Sequence, residues 1–457
     1  MALTLMSGCM VGPDYHPPKS QAPPAWAGVS NVTPAAATRL TTNAVDMARW
    51  WTRFHDPKLT ELVQGALTTN LDVQLAEALV REARAVRGKD AGGLWPSLSA
   101  SGSVTRSGLV DGRGVGGTVK SAGASALWNL DFFGLTRRQL ESDDAAIQAA
   151  RENLFGARVT LASEVALDYL QVRGAQEQIA IAQTNLESEM HTAQVTREKG
   201  AAGFVSALDE ANADAEVATT AAIIPPLETT IQQNIFALSI LLNRPPADLL
   251  DDLSKPGTVP LAPPEVPVGL PSDLLRRRPD IRAAEANLHE AAALIGVAVA
   301  DFYPQFSLSG SLTYQNNRTR DLFAGASGTY SVGPQVTWPI FSGGSMISNV
   351  RLQKAATDAA YISYQKTVLA ALSDVESYLV AFGKEWDHRK ALSDAVVFNR
   401  RALLLSQQLY QAGTEEFLNV LDAQRSLLAS ETALAQSRQA ISSDMVNIYR
   451  ALGGGWE

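Results

Sequence analysis

The chain has 457 residues, 46% of them hydrophobic and 19% charged, with a formal net charge of −9. That composition excludes a disordered or collagenous polypeptide, and the acidic balance argues against a broad nucleic-acid footprint. The one cysteine, Cys9, excludes an intrachain disulfide framework.

Residues Leu5-Met6-Ser7-Gly8-Cys9 have the form of the end of a bacterial lipoprotein signal, with small residues before a thiol that then carries lipid. The other reading is a free cysteine in a frayed terminus. Only eight residues precede Cys9 and none is basic, so the signal is either truncated or not a signal. Beyond it, Pro17, Pro18, Pro23, Pro24 and Pro34 lie in a Ser/Thr/Ala-rich tract. Residues 1–49 therefore read as an extended tether. No later run reaches the roughly 18 apolar residues of a membrane helix; the longest candidate, Ile235–Leu242, is short and holds Ser239. A membrane role would have to use β-strands.

The rest of the chain is duplicated at an offset of 208 residues. From Ala76 to Ser103, 12 of 28 positions are identical to Ala284–Ser311 without a gap. Trp128 pairs with Trp338, and Gly200…Phe204…Leu208-Asp209 parallels Gly413…Phe417…Leu421-Asp422. Each half reads helix, strand, strand, long helix, glycine break, long helix. We place the first repeat at 50–246, a Pro-rich linker at 247–270 and the second repeat at 271–457.

Period-two alternation predicts strands over about 97–107, 120–131, 305–315 and 330–341. Each is about ten residues, the length of a tilted strand crossing a bilayer. The loops between them are Gly108–Thr118 and Asn316–Gly328. The first has the glycines of a phosphate loop, but a strand follows it and not a helix. Aromatics such as Trp95, Trp128, Tyr303, Tyr330, Trp338 and Phe341 cluster at strand ends. They suit an interfacial girdle and ordinary strand-end packing equally. Four strands cannot close a barrel, and open edges are forbidden in lipid. Three copies give twelve strands.

Thr136 to about Lys199 and Ser345 to Gln411 are free of proline and read as long helices. Their apolar period is seven: Val165, Val172, Ile179 and Leu186 in one register, and Tyr361, Val368, Val375, Phe382, Val396, Leu403 and Tyr410 in another, broken only by Arg389. Val420, Leu427, Leu434, Ile441 and Ile448 form a third. Seven-residue spacing implies supercoiled neighbours. A plain coiled-coil rod accounts for these helices but not for the strands or their duplication. Pro225-Pro226 breaks the fourth long helix partway.

Gly200–Gly203 and Gly413 fold each pair of long helices into a hairpin. Asp209 lies beside the first tip, and Glu415, Glu416 and Asp422 beside the second. Acids at a helix N-terminus are ordinary. In a threefold pore each would become a ring of carboxylates at the mouth.

The chain resembles the outer membrane factors, the TolC-like channels, in their OprM/NodT-type lipoprotein branch. The carriers are Cys9 with Val11-Gly12-Pro13-Asp14-Tyr15, Trp50-Trp51-Thr52-Arg53-Phe54-His55-Asp56-Pro57-Lys58-Leu59, Gly269–Ile281 with its Arg276-Arg277-Arg278-Pro279-Asp280 run, and Tyr410–Ala423. The resemblance implies a mainly α fold with a membrane β-barrel: a homotrimer with a twelve-stranded barrel in the outer membrane and an α-helical barrel in the periplasm. It implies as partners a periplasmic adaptor and an inner-membrane RND-type transporter, with no cofactor beyond lipid on Cys9. The implied function is passive efflux of small molecules; polypeptide secretion and metal efflux are the other duties of such ducts. Asp422 matches the family's aperture aspartate, and Tyr410 an aromatic that holds the closed tip. Glu415 stands where some members have arginine, which puts a latch from Tyr410 to a basic residue in question. Asn419 stands at a second aspartate position, leaving a single negative ring. His16, His55, His191, His289 and His388 show no metal-ligand spacing, and no nucleophile motif appears, so we do not read an enzyme.

Overall fold

The computed structural model describes residues 10–19, 23–27, 39–41, 47–108, 116–263, 265–267 and 271–456. Cys9 and most of the Gly108–Thr118 loop lie outside the described residues. In chain order the first elements are β1 (Arg39–Thr41), α1 (Pro57–Thr69), α2 (Leu71–Ala91), β2 (Ser97–Ser107), β3 (Gly117–Leu130), α3 (Leu135–Ala201), α4 (Ala207–Ala221) and α5 (Ile224–Leu241). Then follow α6 (Leu250–Leu253), β4 (Glu265–Pro267), α7 (Pro271–Arg277), α8 (Pro279–Ala300), β5 (Gln305–Asn316), β6 (Gly328–Thr337), α9 (Ser345–Gln411) and α10 (Phe417–Ala451). Two compact units result, each drawing on both repeats.

The first unit takes Met1–Lys19, Ala78–Arg151 and Ala283–Lys366. Its centre is a four-stranded antiparallel sheet in the order β2-β3-β5-β6. The register puts Ser99, Ser125, Ser311 and Ser331 in line across all four strands. Because side chains alternate between faces, one face carries Ser, Thr, Gln, Gly and Asn, with Val119 and Leu127 the apolar exceptions and no charged residue. Hydroxyl pairs Ser99–Ser125 and Ser103–Ser121, both at 2.8 Å, tie it together. The other face carries Leu98, Val104, Trp128, Phe306, Leu308, Leu312, Tyr330 and Val332, with Arg106 and Lys120 only towards the β2–β3 loop. The duplication is written into its hydrogen bonds. Trp128 Nε1 donates to Leu94 O at 2.9 Å, and Trp338 Nε1 donates to Phe302 O at 3.0 Å.

Two strand boundaries differ from the sequence reading by three residues or more. β3 starts at Gly117 and not at 120, since its first residues continue the ladder to Ser107. β6 ends at Thr337 and not at 341. Pro339 has no N–H to give a ladder, and Gly343 and Gly344 turn the chain at φ of 60° and 87° before α9.

The chain after Cys9 is fixed in the same unit. Val11 N donates to Phe133 O at 3.2 Å, just past the end of β3. Arg138, buried in the first turn of α3, donates to Val11 O at 3.0 Å and to Asp14 Oδ1 at 2.8 Å, and pairs with Glu141 at 2.6 Å. Gly12 has φ of 93°, and a Cβ there would lie 2.5 Å from Gly296 Cα. Tyr15 stacks on His289 with ring centroids 4.2 Å apart. Residues 10–15 are thus held by specific contacts, where the composition suggested only a loose tether.

The second unit takes Ser20–Glu77, Glu152–Arg282 and Thr367–Glu457. The Trp50-to-Leu59 motif is its packing centre. Trp50, Trp51 and Phe54 are buried in a short 3₁₀ turn, and Trp50 stacks on the buried Tyr449 of α10. Full burial of such a side chain is worth about 2–3 kcal/mol. Asp56 caps α1 by accepting from Lys58 N and Leu59 N, and its other oxygen accepts from Tyr169 Oη at 2.9 Å. Arg278, from the second motif, bonds Asp280, Asp374 and Ala451 O. Pro225 and Pro226 occupy the first turn of α5, directly after the break that ends α4. The two stretches read as irregular also meet: β1 and β4 pair in parallel, Arg39 opposite Glu265.

Replacing Arg138 with alanine removes the shared anchor of Val11, Gly12 and Asp14, a loss of about 1–3 kcal/mol for bonds to a charged group. Limited proteolysis should then cut within residues 10–19, with helix content unchanged. Equal protection of that segment in wild type and variant would contradict the anchor.

Candidate functional site

The two hairpins of the second unit, α3–α4 and α9–α10, turn by the same device. Gly203 has φ of 76° and Gly413 φ of 73°. Gly203 N donates to Gly200 O and Phe204 N to Lys199 O; likewise Gly413 N donates to Tyr410 O and Thr414 N to Leu409 O. This paired closure satisfies the last carbonyls of a helix and needs a left-handed residue, hence glycine. It resets the alignment of the repeats. Gly203 matches Gly413, an offset of 210, where the sequence comparison matched Gly200 with Gly413. Gly200 lies inside the last turn of α3, against the Glu210 side chain.

The corrected register separates the acids. Asp209 now corresponds to Asn419, and Asp422 to Asn212. Asp209 closes a capping box with Ser206: Asp209 N donates to Ser206 Oγ at 3.2 Å, and Ser206 N to Asp209 Oδ2 at 3.1 Å. Its carboxylate does local work at the start of α4. Glu416 is the cap residue of α10, exposed and without a side-chain cap bond. Glu415 accepts from Asn419 Nδ2. Asp422 is exposed on α10, one residue after the buried Leu421.

Tyr410 is the knot between the hairpins. It is 4% exposed, packs on Phe417 at 5.6 Å, and shares a 3.2 Å hydroxyl contact with the buried Thr196 of α3. Lys199 Nζ donates to Tyr410 O and sits 4.1 Å from its ring centroid. Glu415 leaves Tyr410 without a basic residue from its own turn, and Lys199 supplies one from the other hairpin. The signal for Lys199 was a cation in the last turn of α3, where the helix dipole favours it; pairing it with Tyr410 needed the fold.

Behind the tips a shared core joins Ala193, Ala213, Val396, Leu403, Tyr410, Phe417, Val420 and Leu427. Most are the predicted heptad positions. Tyr361, at the start of that register, is 40% exposed, so the buried seam begins further along α9. Polar pairs run beside the core: Thr192–Gln424 at 3.1 Å, Asn185–Glu431 at 2.9 Å and Arg438–Glu177 at 2.8 Å.

A family model described as outer membrane efflux protein matches residues 62–244 and 270–454. The chain belongs to the outer membrane efflux protein family. It is 33% identical to nodulation protein T of Rhizobium leguminosarum bv. trifolii over 99% of this chain and 96% of that protein. It is 32% identical to TtgC, an outer membrane protein of a toluene efflux pump of Pseudomonas putida, over 99% of this chain and 94% of that protein. Among solved structures it is similar to the outer-membrane channel OprN, with a TM-score of 0.90 and 37% identity over 98% of this chain and 100% of that chain. Members of this family are channel proteins, not enzymes.

Replacing Tyr410 with phenylalanine should cost about 0.5–1.5 kcal/mol by removing the Thr196 contact. Lys199→Ala should cost about 0.5–2 kcal/mol through the lost cation–π contact. Hydrogen exchange over residues 405–420 should speed up accordingly in both variants. Exchange unchanged in both would mean that Tyr410 does not tie the hairpins.

Proposed function

We propose that the chain is one subunit of an outer-membrane export channel, a passive duct for small molecules that works with a periplasmic adaptor and an inner-membrane RND-type transporter. The observation that carries this is the four-stranded sheet. Its apolar face suits lipid and its uncharged hydroxyl face suits water. Both β2 and β6 are edges within the chain. In hydrocarbon an open edge leaves each N–H and C=O without a partner. Three copies in the same orientation, with β6 of one antiparallel to β2 of the next, close a twelve-stranded barrel. The duty of TtgC in toluene efflux favours small molecules as cargo. The channel moves its cargo without chemistry, so no cofactor enters.

The exposed Asp422 would ring the periplasmic aperture once per subunit, with Tyr410 and its Lys199 and Thr196 contacts holding the tips together. Glu415 and Glu416 add charge beside it. Asp209, engaged in its capping box, serves the α4 turn first. Cys9 would carry lipid: the next residues are pinned beside the end of β3, and an acyl chain on Cys9 would then lie near the rim of the barrel. Outer-membrane lipid is then a partner at both the strands and the anchor.

In planar bilayers the purified protein should conduct, and Asp422→Ala should lower its preference for cations. Identical single-channel records would remove Asp422 from the aperture, and a protein that never conducts would favour a structural rod. Cys9→Ser should shift protein from the membrane to the soluble fraction while trimers are incompletely inserted. Unchanged fractionation at every expression level would argue against the lipid.

A further inference from the structure

Between α3, α4 and α10 lies a carboxylate that the channel reading does not use. Glu189 of α3 is 3% exposed, and neither of its oxygens has a well-formed hydrogen bond, although the Thr220 hydroxyl lies near enough to act on it. Beside it are the buried Thr220 of α4, whose hydroxyl also lacks a well-formed hydrogen bond, and the buried Glu216 of α4. Glu216 is bonded by Arg425 of α10 at 2.7 Å. Glu216 and Arg425 are the charged groups that face Glu189 from the packed helices. On its own helix Glu187 and His191 point to exposed positions.

The charge balance is uneven. With both glutamates ionised, two negative charges share one guanidinium that is already bonded to Glu216 and half in solvent. A buried carboxylate without well-formed hydrogen bonds is costly. Neutral Glu189, by contrast, no longer repels Glu216, and one carboxylate then faces one guanidinium.

We propose that Glu189 is a proton-binding site that couples periplasmic pH to the packing of the first hairpin against α10, taking a proton when the helices are close and losing it when they part. The location in the periplasm rests on the channel reading above. Burial above all, with the Glu216 charge adding to it, pushes the Glu189 carboxyl up to about 7; the Thr220 hydroxyl, a stronger influence than Glu216, and then Arg425 pull the other way. The packed state therefore holds a proton that a solvated glutamate would have released. Its stabilisation is complete below the ordinary glutamate range and is lost as pH rises to about 7.

Infrared difference spectra of the purified full-length protein should show a protonated-carboxyl band that titrates near 7 and is missing in Glu189→Gln. Glu216→Gln, which removes the repelling charge, should move the midpoint down. Hydrogen exchange in α4 and α10, corrected for intrinsic rates, should rise severalfold between about pH 6 and about pH 8 in wild type and stay flat in Glu189→Gln. A band untouched by Glu189→Gln, or a pH response kept in that variant, would overturn the proposal. Neither readout needs current through a pore, so a failure of the channel reading would appear separately, as absent conductance.

Discussion

A β-strand at the edge of a sheet offers a row of N–H and C=O groups, and hydrocarbon supplies nothing to meet them. The first unit of this chain has two such edges, β2 and β6. Its strands are apolar on one side and hydroxylic on the other, so they fit a wall between lipid and water but cannot stand as one alone. Everything else follows from meeting that demand with further copies of the same chain. Antiparallel order runs on unbroken from β6 of one copy to β2 of the next. The absence of charge on the described hydroxyl face means that this wall needs no ion pairs, only serine and threonine contacts.

The helical hairpins answer a different constraint. On the proposed channel reading, a narrow end would be held shut by contacts weak enough to part. The structure joins the hairpins through a buried core capped by a few polar contacts, chiefly those of Tyr410 with Thr196 and Lys199. Each of these is individually worth only about 1 kcal/mol. The turns themselves are defined by the left-handed Gly203 and Gly413, so on that reading opening would move one hairpin against the other without remodelling the tips.

Much of this was legible in the residues. Heptads marked the seam from Val375 to Ile448, and α9 begins and ends where the sequence placed it. The duplication marked the strands, because period-two alternation survives divergence. It failed at the hairpin tips. Sequence identity aligned Gly200 with Gly413, whereas the positive φ belongs to Gly203; the conformation, not the letter, defines the equivalent residue. That slip paired Asp209 with Asp422, although one is a capping residue and the other an exposed side chain. Lys199, Arg138 and Glu189 stayed hidden for a common reason. Each acts through a partner far along the chain, and no local period announces such a pairing.

The central claim is that the open sheet is completed by two further copies. Native mass spectrometry of the detergent-extracted protein tests it most directly. The account predicts one species with the mass of three chains, in which backbone amides of β2 and β6 are as protected from exchange as those of β3 and β5. A monomer, or a trimer whose β2 and β6 amides exchange freely, would contradict it.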